Sequence, residues 1–289
     1  MKGIILAGGK GSRLLPITKV LNKQLLPVYD KPMIYYPLST LISAGIRDIL
    51  IISNPESIHL YKELLGDGHK IGCKFSYLIQ ENPNGLSEAF ILGEEFIGHD
   101  DVTLILGDNI FYSDNFMKTL TLAIKSNVGG TVFGYKVSNP SDYGIVNLDS
   151  KKNIISIEEK PKYPSSNYAI PGIYIYSNQV IEKSKTLKPS ERGELEITDL
   201  NKLFLKENNL KLIILPDETI WFDTGTCKFY SHACELVRVI QERKNILIGS
   251  IEESAFRAGF ISNNQLLKLS MESIHSEYGQ HLKKISKDD

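Results

Sequence analysis

The sequence has little of the chemistry that marks several common protein classes. Its 289 residues include only three cysteines, Cys73, Cys227 and Cys234, and they form no Cys-x-x-Cys pair. An odd, scattered set of this kind excludes a disulfide framework and a cysteine-based zinc site, and it predicts free thiols in a reducing compartment. The six histidines also lack the spacing of metal ligands.

Long apolar runs and an excess of one charge are also missing. The apolar stretch near the start, Gly3–Ala7, is too short for a signal peptide and meets glycine at once. No apolar run in the sequence reaches membrane-spanning length. Lys plus Arg number 33 against 34 for Asp plus Glu, so no overall field favours nucleic acid or an anionic membrane. We therefore expect a cytoplasmic protein that has a small ligand and neither a nucleic acid nor a membrane as its partner.

Composition and length are those of an ordinary globular protein. Apolar residues make up 42% and charged residues 23% of the chain, enough for one large domain or two fused modules. In the first half, short runs of Ile, Leu and Val alternate with amphipathic stretches, which is typical of strands covered on both faces. This order predicts a doubly wound α/β fold with a largely parallel sheet. The expected strands are Gly3–Ala7, Asp48–Ser53, Phe75–Gln80 and Val102–Leu106, and the expected helices are Pro37–Ala44, Ile58–Leu65 and Ser87–Ile97.

The second half predicts a mixed or antiparallel extension of the sheet, followed by helices. From about Lys228 the pattern is mostly helical, including Phe229–Arg243. These changes predict a core of residues 1–227, with one part at about 1–110 and another at about 131–225, and then a helical segment of residues 228–289. The expected elements of the extension are the strands Thr131–Val137, Tyr143–Val146, Ile154–Glu158, Gly172–Ile175, Lys211–Leu215 and Thr219–Phe222, and the helix Glu194–Lys206.

The first expected strand runs into a glycine-rich loop, Gly8-Gly9-Lys10-Gly11-Ser12-Arg13, and Lys23 follows ten residues after Arg13. Glycines let backbone N–H groups approach a phosphate closely, and Arg13 and Lys23 carry the charge to neutralise it. Loops at the carboxyl ends of strands form the ligand crevice of a doubly wound sheet. The alternative is a glycine-rich surface turn whose charges are incidental.

Spacing excludes two familiar phosphate loops. A P-loop needs Gly-Lys-Ser or Gly-Lys-Thr, which this loop lacks. A dinucleotide fingerprint needs a third glycine where Leu14 stands, and an acidic residue near the end of the second strand, which here reads Ser53-Asn54-Pro55. These differences argue against a hydride-transferring dehydrogenase.

Two aspartates follow expected strands and stand beside glycine, in Gly107-Asp108-Asn109 and in Asp223-Thr224-Gly225. If both strands end at one crevice, the two carboxylates are able to share a hard cation. Mg²⁺ suits such a site, because it prefers oxygen ligands and is usually held by one or two carboxylates plus substrate phosphates. For either aspartate alone, a role in a turn or a helix cap is the more frequent one.

A third group is Glu158-Glu159-Lys160-Pro161. Alternation along the expected strand sends Glu159 to one side and Lys160 to the other, and Pro161 ends the pairing. A glutamate is able to accept two sugar hydroxyls, and a lysine is able to bind a phosphate. The alternative is a charged edge strand whose charges keep it from aggregating.

Together these segments resemble the sugar-1-phosphate nucleotidylyltransferases, and within them the short-form glucose-1-phosphate thymidylyltransferases. The resemblance runs from residue 2 to about residue 282. The general signature is carried by Lys2–Leu14 (KGIILAGGKGSRL), Lys23–Pro27 (KQLLP), Leu106–Asn109 (LGDN), Glu158–Pro161 (EEKP) and Phe222–Gly225 (FDTG). The finer features are Asp30–Tyr36 (DKPMIYY), Leu65–Gly68 (LGDG), Asp108–Tyr112 (DNIFY) and Arg192–Asp199 (RGELEITD).

The resemblance implies a Rossmann-like nucleotidyltransferase fold and a reaction of dTTP with glucose 1-phosphate that gives dTDP-glucose and pyrophosphate. Mg²⁺ is the implied cofactor, and the product would enter deoxysugar synthesis, as in the rhamnose pathway. The resemblance also implies a homotetramer and feedback by a downstream dTDP-sugar, for which the helical segment 228–289 is the expected interface.

The resemblance implies a role for each matching residue. Arg13 and Lys23 would hold the triphosphate and stabilise the transition state, with Asp108 and Lys160 as the other catalytic residues. Asp108 and Asp223 would bind Mg²⁺. The implied nucleotide site consists of Leu6, Gly8, Gly9, Gly11, Ser12, Arg13, Gln24, Gln80 and Gly85. The implied sugar site consists of Asp108, Tyr143, Gly144, Glu159, Lys160 and Tyr174.

The sequence departs from the family pattern in two places. Ser12 stands where threonine is usual, which keeps the hydroxyl, and Ile170-Pro171-Gly172 stands where Val-Thr-Gly is usual. Proline lacks both a backbone donor and a hydroxyl, so Pro171 bears on sugar affinity and identity. Two other hypotheses are the same chemistry with another nucleotide or sugar, such as uridylyl transfer, and a non-catalytic nucleotide-sugar sensor. A sensor would be expected to have lost charge at Arg13, Lys23, Asp108 or Asp223, and all four are present.

Overall fold

The structure, a computed structural model, describes residues 1–113 and 115–288. Short 3-10 turns lie at Ser12–Leu14, Ile17–Lys19, Lys23–Leu25, His69–Ile71 and Pro140–Asp142. The strands are β1 (Lys2–Leu6), β2 (Pro27–Val28), β3 (Lys31–Pro32), β4 (Asp48–Ser53), β5 (Lys74–Ile79), β6 (Val102–Leu106), β7 (Asn109–Tyr112), β8 (Gly130–Lys136), β9 (Gly144–Leu148), β10 (Ile154–Glu159), β11 (Tyr168–Ala169), β12 (Ile173–Tyr176), β13 (Leu210–Ile214) and β14 (Ile220–Asp223). The helices are α1 (Tyr35–Ser43), α2 (Ile58–Leu65), α3 (Glu88–Leu92), α4 (Glu94–Ile97), α5 (Phe116–Lys125), α6 (Val180–Lys185), α7 (Ile197–Lys206), α8 (Cys227–Lys244), α9 (Ile251–Arg257), α10 (Asn263–Glu272) and α11 (Glu277–Asp288).

One large mixed sheet organises the described residues. Its order is β10-β9-β11-β8-β12-β6-β1-β4-β5, and β13 pairs with β8. The four strands β6, β1, β4 and β5 are parallel, as expected for the first half of the chain. Strand β12 runs antiparallel to both β6 and β8, and the pairings of β9, β10 and β11 are antiparallel as well. The predicted α/β fold, with a parallel half and an antiparallel extension, is confirmed.

Helices cover both faces of the sheet, which explains why its central strands β1, β4 and β6 are apolar along most of their length. On β1, Ile5 faces one cluster of buried side chains, and Ile4 and Leu6 face the other. The first cluster includes residues from α1, α2, α5 and α9. The second includes residues from α3, α4, α6 and α7. Burial on both faces removes the alternation that a half-exposed strand would show.

Several elements agree with the sequence pattern to the residue, and others differ for identifiable reasons. Strands β4 and β6 and helix α2 have the expected bounds. The helix expected over 87–97 is interrupted at Gly93, a residue that disfavours helix interiors, and becomes α3 and α4. The helix expected from Glu194 begins only at Ile197, because the backbone of Leu195 instead bonds to Asn84 and Ser87.

The antiparallel pair of β7 and β14 is the most consequential element that the pattern did not predict as a pair. The residues after Asp108 form β7, in which Asn109 stands opposite Asp223 of β14. This small sheet lies outside the main sheet and joins two segments more than 100 residues apart. It sets the geometry of the site described below.

The last part of the chain is helical, as expected, and comprises α8 to α11. Helix α9 packs on α1 through Ile251 and Ala255, which belong to the same cluster as Leu38 and Leu41. The division at residue 227 stays a prediction. Within residues 1–113 and 115–288, no helix is long and apolar enough to cross a membrane.

Candidate active site

Two aspartates from distant parts of the chain meet at the ends of β6 and β14, and we call Asp108 and Asp223 the acid pair. Asp108 directly precedes β7, and Asp223 ends β14, so the pairing of Asn109 with Asp223 brings both carboxylates to one place. Thr224 anchors this arrangement, since its hydroxyl donates to the backbone carbonyl of Asp108 at 3.0 Å. The acid pair therefore results from strand pairing rather than from a local motif.

Lys23 lies between the two carboxylates. Its ammonium donates to Asp108, and its Nζ is 4.0 Å from Oδ1 of Asp223. Lys23 is only 5% exposed, and a charge buried to this degree is tolerated because opposite charges surround it. The short 3-10 turn Lys23–Leu25 holds the lysine, and the Asn22 side chain caps this turn by accepting from the Gln24 backbone.

Arg13 approaches the acid pair from the glycine-rich loop. A Cβ placed on Gly225 would lie 2.6 Å from Nη2 of Arg13 and 2.9 Å from Oδ1 of Asp223. Any side chain at residue 225 would therefore push the guanidinium away from the carboxylate. Burial and the nearby charge of Asp108 raise the pKa of Asp223, against the opposing effect of Lys23 and Arg13. The charge of Asp108 thus acts on Asp223, and Lys23, which lies between them, offsets part of the repulsion.

The carboxamide of Asn109 orients one member of the acid pair. Its Nδ2 donates to Oδ1 of Asp108 at 3.0 Å. Its Oδ1 accepts from the backbone N–H of Gly172 at 3.0 Å and from the indole N–H of Trp221 at 2.6 Å. Asn109 is 2% exposed, so its amide is locked by groups from three separate segments.

A first cavity, of about 210 Å³, opens on the Asp108 side of the acid pair, and we call it the glycine cavity. The ends of β1, β5 and β6 form much of its wall, as expected for a crevice at the carboxyl edge of a parallel sheet. Its lining residues are Leu6, Gly8, Gly9, Gln24, Gln80, Pro83, Gly85, Leu86, Leu106, Asp108 and Glu194.

The far wall of the glycine cavity depends on close contact between two loops. Leu195 donates its backbone N–H to the carbonyl of Asn84 at 2.6 Å, and its own carbonyl accepts from Ser87 at 3.2 Å. Gly85 lies between these bonds with φ of +106°, and a Cβ there would be 2.5 Å from the Leu195 nitrogen. Both the conformation and the contact require glycine. This contact brings Glu194 into the cavity wall.

A second cavity, of about 190 Å³, opens on the Asp223 side, and we call it the tyrosine cavity. Leu86 lines both cavities, and the acid pair lies between them. The lining residues of the tyrosine cavity are Arg13, Leu86, Asp142, Tyr143, Gly144, Glu159, Lys160, Ile170, Tyr174, Ile197, Thr198, Asn201 and Asp223.

Glu159 and Lys160 reach the same cavity, which corrects the expected alternation. Strand β10 ends at Glu159, so Lys160 no longer follows the strand period. Lys160 adopts a left-handed conformation with φ of +42°, and its Nζ lies 3.7 Å from Oε1 of Glu159. Left-handed backbone costs a non-glycine residue about 1 kcal/mol or more, so it persists here because the surroundings hold it.

Two polar neighbours of Glu159, Thr198 and Arg192, were not predicted as site residues from the sequence. Thr198, at the start of α7, donates its hydroxyl to Oε2 of Glu159 at 2.6 Å. The Arg192 guanidinium lies 3.6 Å from Oε1 of Glu159 and is held by two bonds to Glu196 at 2.8 and 2.9 Å. The RGELEITD segment matches a family feature. Its contacts with residues 84–87 and with Glu159 place Arg192 and Thr198 beside that carboxylate.

The predicted site residues come together with few exceptions. Leu6, Gly8, Gly9, Gln24, Gln80, Gly85 and Asp108 line the glycine cavity. Arg13, Tyr143, Gly144, Glu159, Lys160, Tyr174 and Asp223 line the tyrosine cavity. Lys23 is buried and contacts both carboxylates of the acid pair. Gly11 and Ser12 line neither cavity among the described residues, and they form the turn that carries Arg13. Asp108, predicted for the sugar site as well, lies on the side of the glycine cavity.

Proline at residue 171 lies beside the tyrosine cavity, next to a residue that lines it. Ile170 contributes to the cavity wall and donates its backbone N–H to Gly144 at 2.8 Å. Gly172, on the other side of Pro171, donates to Asn109. Pro171 has no backbone N–H, and the backbone N–H groups of the residues on either side of it are already hydrogen-bonded within the protein.

The acid pair fits a cation of the Mg²⁺ type. Its ligand atoms are carboxylate oxygens, and a positive ion would favour the ionised form of Asp223, whose pKa is raised by burial and by the charge of Asp108. In the described part of the chain, no group of three or more His, Cys, Asp or Glu side chains forms a self-contained metal site. A cation at the acid pair would thus need further oxygens from substrate phosphates.

The model of the nucleotidyl transferase family matches residues 2–238. This chain belongs to that family. Nucleotidyl transferases generally use a divalent metal ion.

Three of the relatives described next carry one name, and the fourth carries another. A glucose-1-phosphate thymidylyltransferase from Neisseria meningitidis is 50% identical over 99% of this chain and 100% of its own length. A protein of the same name from Mycolicibacterium smegmatis is 49% identical over 98% of each chain. A Bacillus anthracis structure, described as a glucose-1-phosphate thymidylyltransferase with bound sucrose, is 44% identical, with a TM-score of 0.76 over 82% of this chain and 95% of that one. A UDP-glucose pyrophosphorylase with UDP-glucose is 26% identical, with a TM-score of 0.73 over 82% and 98%.

Proposed function

We propose that this protein is a glucose-1-phosphate thymidylyltransferase, which joins dTTP and α-D-glucose 1-phosphate to give dTDP-glucose and pyrophosphate. The observation that carries the proposal is the junction of two cavities at a half-buried acid pair flanked by Lys23 and Arg13. Such a junction suits two phosphorylated substrates whose charged ends must meet. Relatives at 49–50% identity over almost the whole chain carry this name.

The glycine cavity would hold the nucleotide. Gly8 and Gly9 leave the backbone of the loop open to phosphate oxygens, and Gln24, Gln80 and Gly85 would meet the nucleoside. Gly11 and Ser12 would act through the turn that positions Arg13. Arg13 and Lys23 would offset charge on the triphosphate, and Lys23, which is buried, would interact with it more strongly than a cation in water.

The tyrosine cavity would hold glucose 1-phosphate. Glu159 would accept hydrogen bonds from sugar hydroxyls, and Lys160 would bind the sugar phosphate. Tyr143, Gly144 and Tyr174 would form the wall around the sugar ring. Burial and the charges of Asp223 and Asp142 raise the pKa of Tyr143 to about 12, so its hydroxyl stays protonated.

The chemistry needs positioning and charge rather than proton transfer. The attacking oxygen belongs to the phosphate of glucose 1-phosphate and is already ionised at neutral pH, so no general base is required. It attacks the α-phosphorus of dTTP, and pyrophosphate leaves on the opposite side. The chain's part is to align the two phosphates and to neutralise the charge that builds between them. Mg²⁺, held by Asp108 and Asp223, would supply Lewis-acid stabilisation of these phosphate oxygens.

The test is pyrophosphate release from glucose 1-phosphate and Mg²⁺ with each of dTTP, UTP, CTP, ATP and GTP. We expect the highest kcat/KM with dTTP and loss of release when EDTA removes the metal. A preference for UTP would instead support uridylyl transfer, the activity of the more distant 26% identical relative. No release with any nucleotide, from protein shown to be folded, would contradict the proposal and favour a sensor.

The helical segment of residues 228–289 would contribute to a homotetramer, and feedback by a dTDP-sugar would act through such an assembly. Exposed apolar side chains on α10 support this, since Leu267 is 37% and Met271 52% exposed. Light scattering on the purified protein would give the mass in solution, and a monomeric mass at working concentration would contradict this part of the proposal.

A further inference from the structure

One side chain in the glycine cavity has hydrogen bonds that determine what it offers to a ligand. Nε2 of Gln80 donates to Oε2 of Glu88 at 2.7 Å and to the backbone carbonyl of Gly85 at 3.3 Å. A carboxylate oxygen and a peptide carbonyl only accept hydrogen bonds. The NH₂ group of Gln80 must therefore face them, and both of its hydrogens are in use.

The other half of the same amide faces the cavity. Oε1 of Gln80 lies 3.7 Å from the position that a Cβ on Gly8 would occupy, and both residues line the glycine cavity. Gln80 thus presents a hydrogen-bond acceptor to whatever binds there. A glutamine that was free to rotate about its last bond would offer either an acceptor or a donor.

Glu88 is itself held in place. It is the first residue of α3, and its second oxygen, Oε1, accepts from Nδ2 of Asn84 at 2.8 Å. Asn84 belongs to the loop that bonds to Leu195. Each oxygen of the Glu88 carboxylate therefore accepts from one amide. The hydrogen bonds that join Asn84, Glu88 and Gln80 fix the orientation of both amides.

We propose that Glu88 is a positioning residue that determines base selectivity by keeping Gln80 as an acceptor. The inference rests on the proposed function, since it assigns the base of the nucleotide to the glycine cavity. Thymine and uracil carry an N–H at the centre of their pairing edge, which matches an acceptor. Cytosine carries a bare nitrogen there, so two acceptors would face each other and one would be left unpaired.

The test compares dTTP with dCTP, because the two bases have similar size and differ at this edge. In Glu88→Gln, the new amide is able to donate to Oε1 of Gln80, so the Gln80 amide is free to turn. We expect the ratio of kcat/KM for dTTP to that for dCTP to fall about tenfold. This factor corresponds to the free energy of one ordinary hydrogen bond. The change should appear mainly in KM, with kcat for dTTP little altered.

A matched control is Glu94→Gln, which makes the same chemical change on α4, where the carboxylate meets Lys185 at 2.7 Å on the surface. The control should keep the parental ratio. A merely structural role for Glu88 would lower both kcat/KM values by the same factor and leave the ratio unchanged, and that result would overturn the inference.

Direct binding separates this inference from the proposed function. Calorimetric titration of the protein with dTTP and with dCTP needs no turnover. Glu88→Gln should narrow the ratio of the Kd for dCTP to the Kd for dTTP about tenfold. An unmodified protein that binds dTTP but releases no pyrophosphate would contradict the proposed function alone. Equal narrowing in Glu94→Gln, or none in Glu88→Gln, would contradict the role of Glu88.

Discussion

The glycine cavity and the tyrosine cavity share the acid pair but are built from different parts of the protein. Part of the wall of the glycine cavity is backbone, at the glycines of residues 8, 9 and 85, and residues such as Gln24 and Gln80 line the rest. The walls of the tyrosine cavity come from side chains on antiparallel strands and on the start of α7. A backbone wall leaves no room for a side chain, whereas a wall of side chains changes shape with each substitution. Selectivity for the sugar should therefore be easier to alter than the binding of the triphosphate.

The largest effect is expected where the two cavities meet. In Asp108→Asn, one negative charge of the acid pair is lost while the side-chain shape is kept. Because both substrates would meet the metal there, kcat should fall about 10²- to 10³-fold, measured as pyrophosphate release. Thermal unfolding of the same sample establishes that the variant is folded.

The control for this variant is Asp217→Asn, which removes an equal charge at an exposed residue before β14. It should keep parental activity. Activity of Asp108→Asn within a factor of two or three of the parent would show that the acid pair has no catalytic part.

The backbone wall of the glycine cavity is tested by Gly85→Ala. The new Cβ would lie 2.5 Å from the Leu195 nitrogen and would also strain a backbone with φ of +106°. We expect KM for dTTP to rise about tenfold or more, with a small change in KM for glucose 1-phosphate, in steady-state assays with one substrate varied.

Gly193→Ala separates the contact from the backbone strain. Gly193 also has positive φ, +77°, but a Cβ there meets nothing within 4 Å. Its KM for dTTP should stay close to the parental value. Equal effects in the two variants would mean that strain, rather than the contact with Leu195, explains the loss.

The side-chain wall of the tyrosine cavity is tested by Thr198→Val, which removes the hydroxyl that donates to Glu159 at 2.6 Å. A hydrogen bond to a charged group contributes about 1.5–3 kcal/mol, so KM for glucose 1-phosphate should rise about tenfold or more while KM for dTTP is unchanged. Thr186→Val is the control, since its hydroxyl donates to the carbonyl of Lys183 at an exposed helix end. A rise in both KM values would contradict the division of the two cavities.

The smallest effect is expected from alkaline pH. Burial, with Asp223 and Asp142, raises the pKa of Tyr143 to about 12, so the phenol remains neutral well above its ordinary range. Loss of its proton would begin only when the pH approaches this raised value. KM for glucose 1-phosphate should therefore stay flat between about pH 7 and pH 10. An alkaline rise in KM that is absent from Tyr143→Phe would show that Tyr143 titrates in this range.

The two cavities also differ in how far the sequence predicted them. The loop after β1 and the residues after β6 stand at strand ends, where a parallel sheet gathers its ligand residues, so their meeting was predictable. Glu159 and Lys160 were predicted to point apart, because alternation was extended one residue beyond the end of β10. Helix α5 was not among the expected elements, although its buried residues Phe116, Leu120 and Ala123 have helical spacing.

The conformation and contacts of residues 192–196 depended on the tertiary structure. The pattern indicated a helix from Glu194, and local propensity supports one. The backbone of Leu195 instead bonds to Asn84 and Ser87, which keeps residues 194–196 out of the helix, and Arg192 lies near Glu159. Contacts between segments about 110 residues apart outweighed a local preference of a few tenths of a kcal/mol per residue.

The amino-acid sequence by itself determined the class of fold, most of its strands and helices, the glycine loop and the identity of the charged residues. These follow from local patterns, because burial on one or both faces dictates the period of apolar residues and tight turns require glycine. Only the tertiary structure decided that Asp108 and Asp223 become neighbours, that Lys23 lies between them and that Glu88 orients Gln80. Strand pairing and loop docking bring distant residues within hydrogen-bonding distance, and the spacing of residues along the chain carries no record of those contacts.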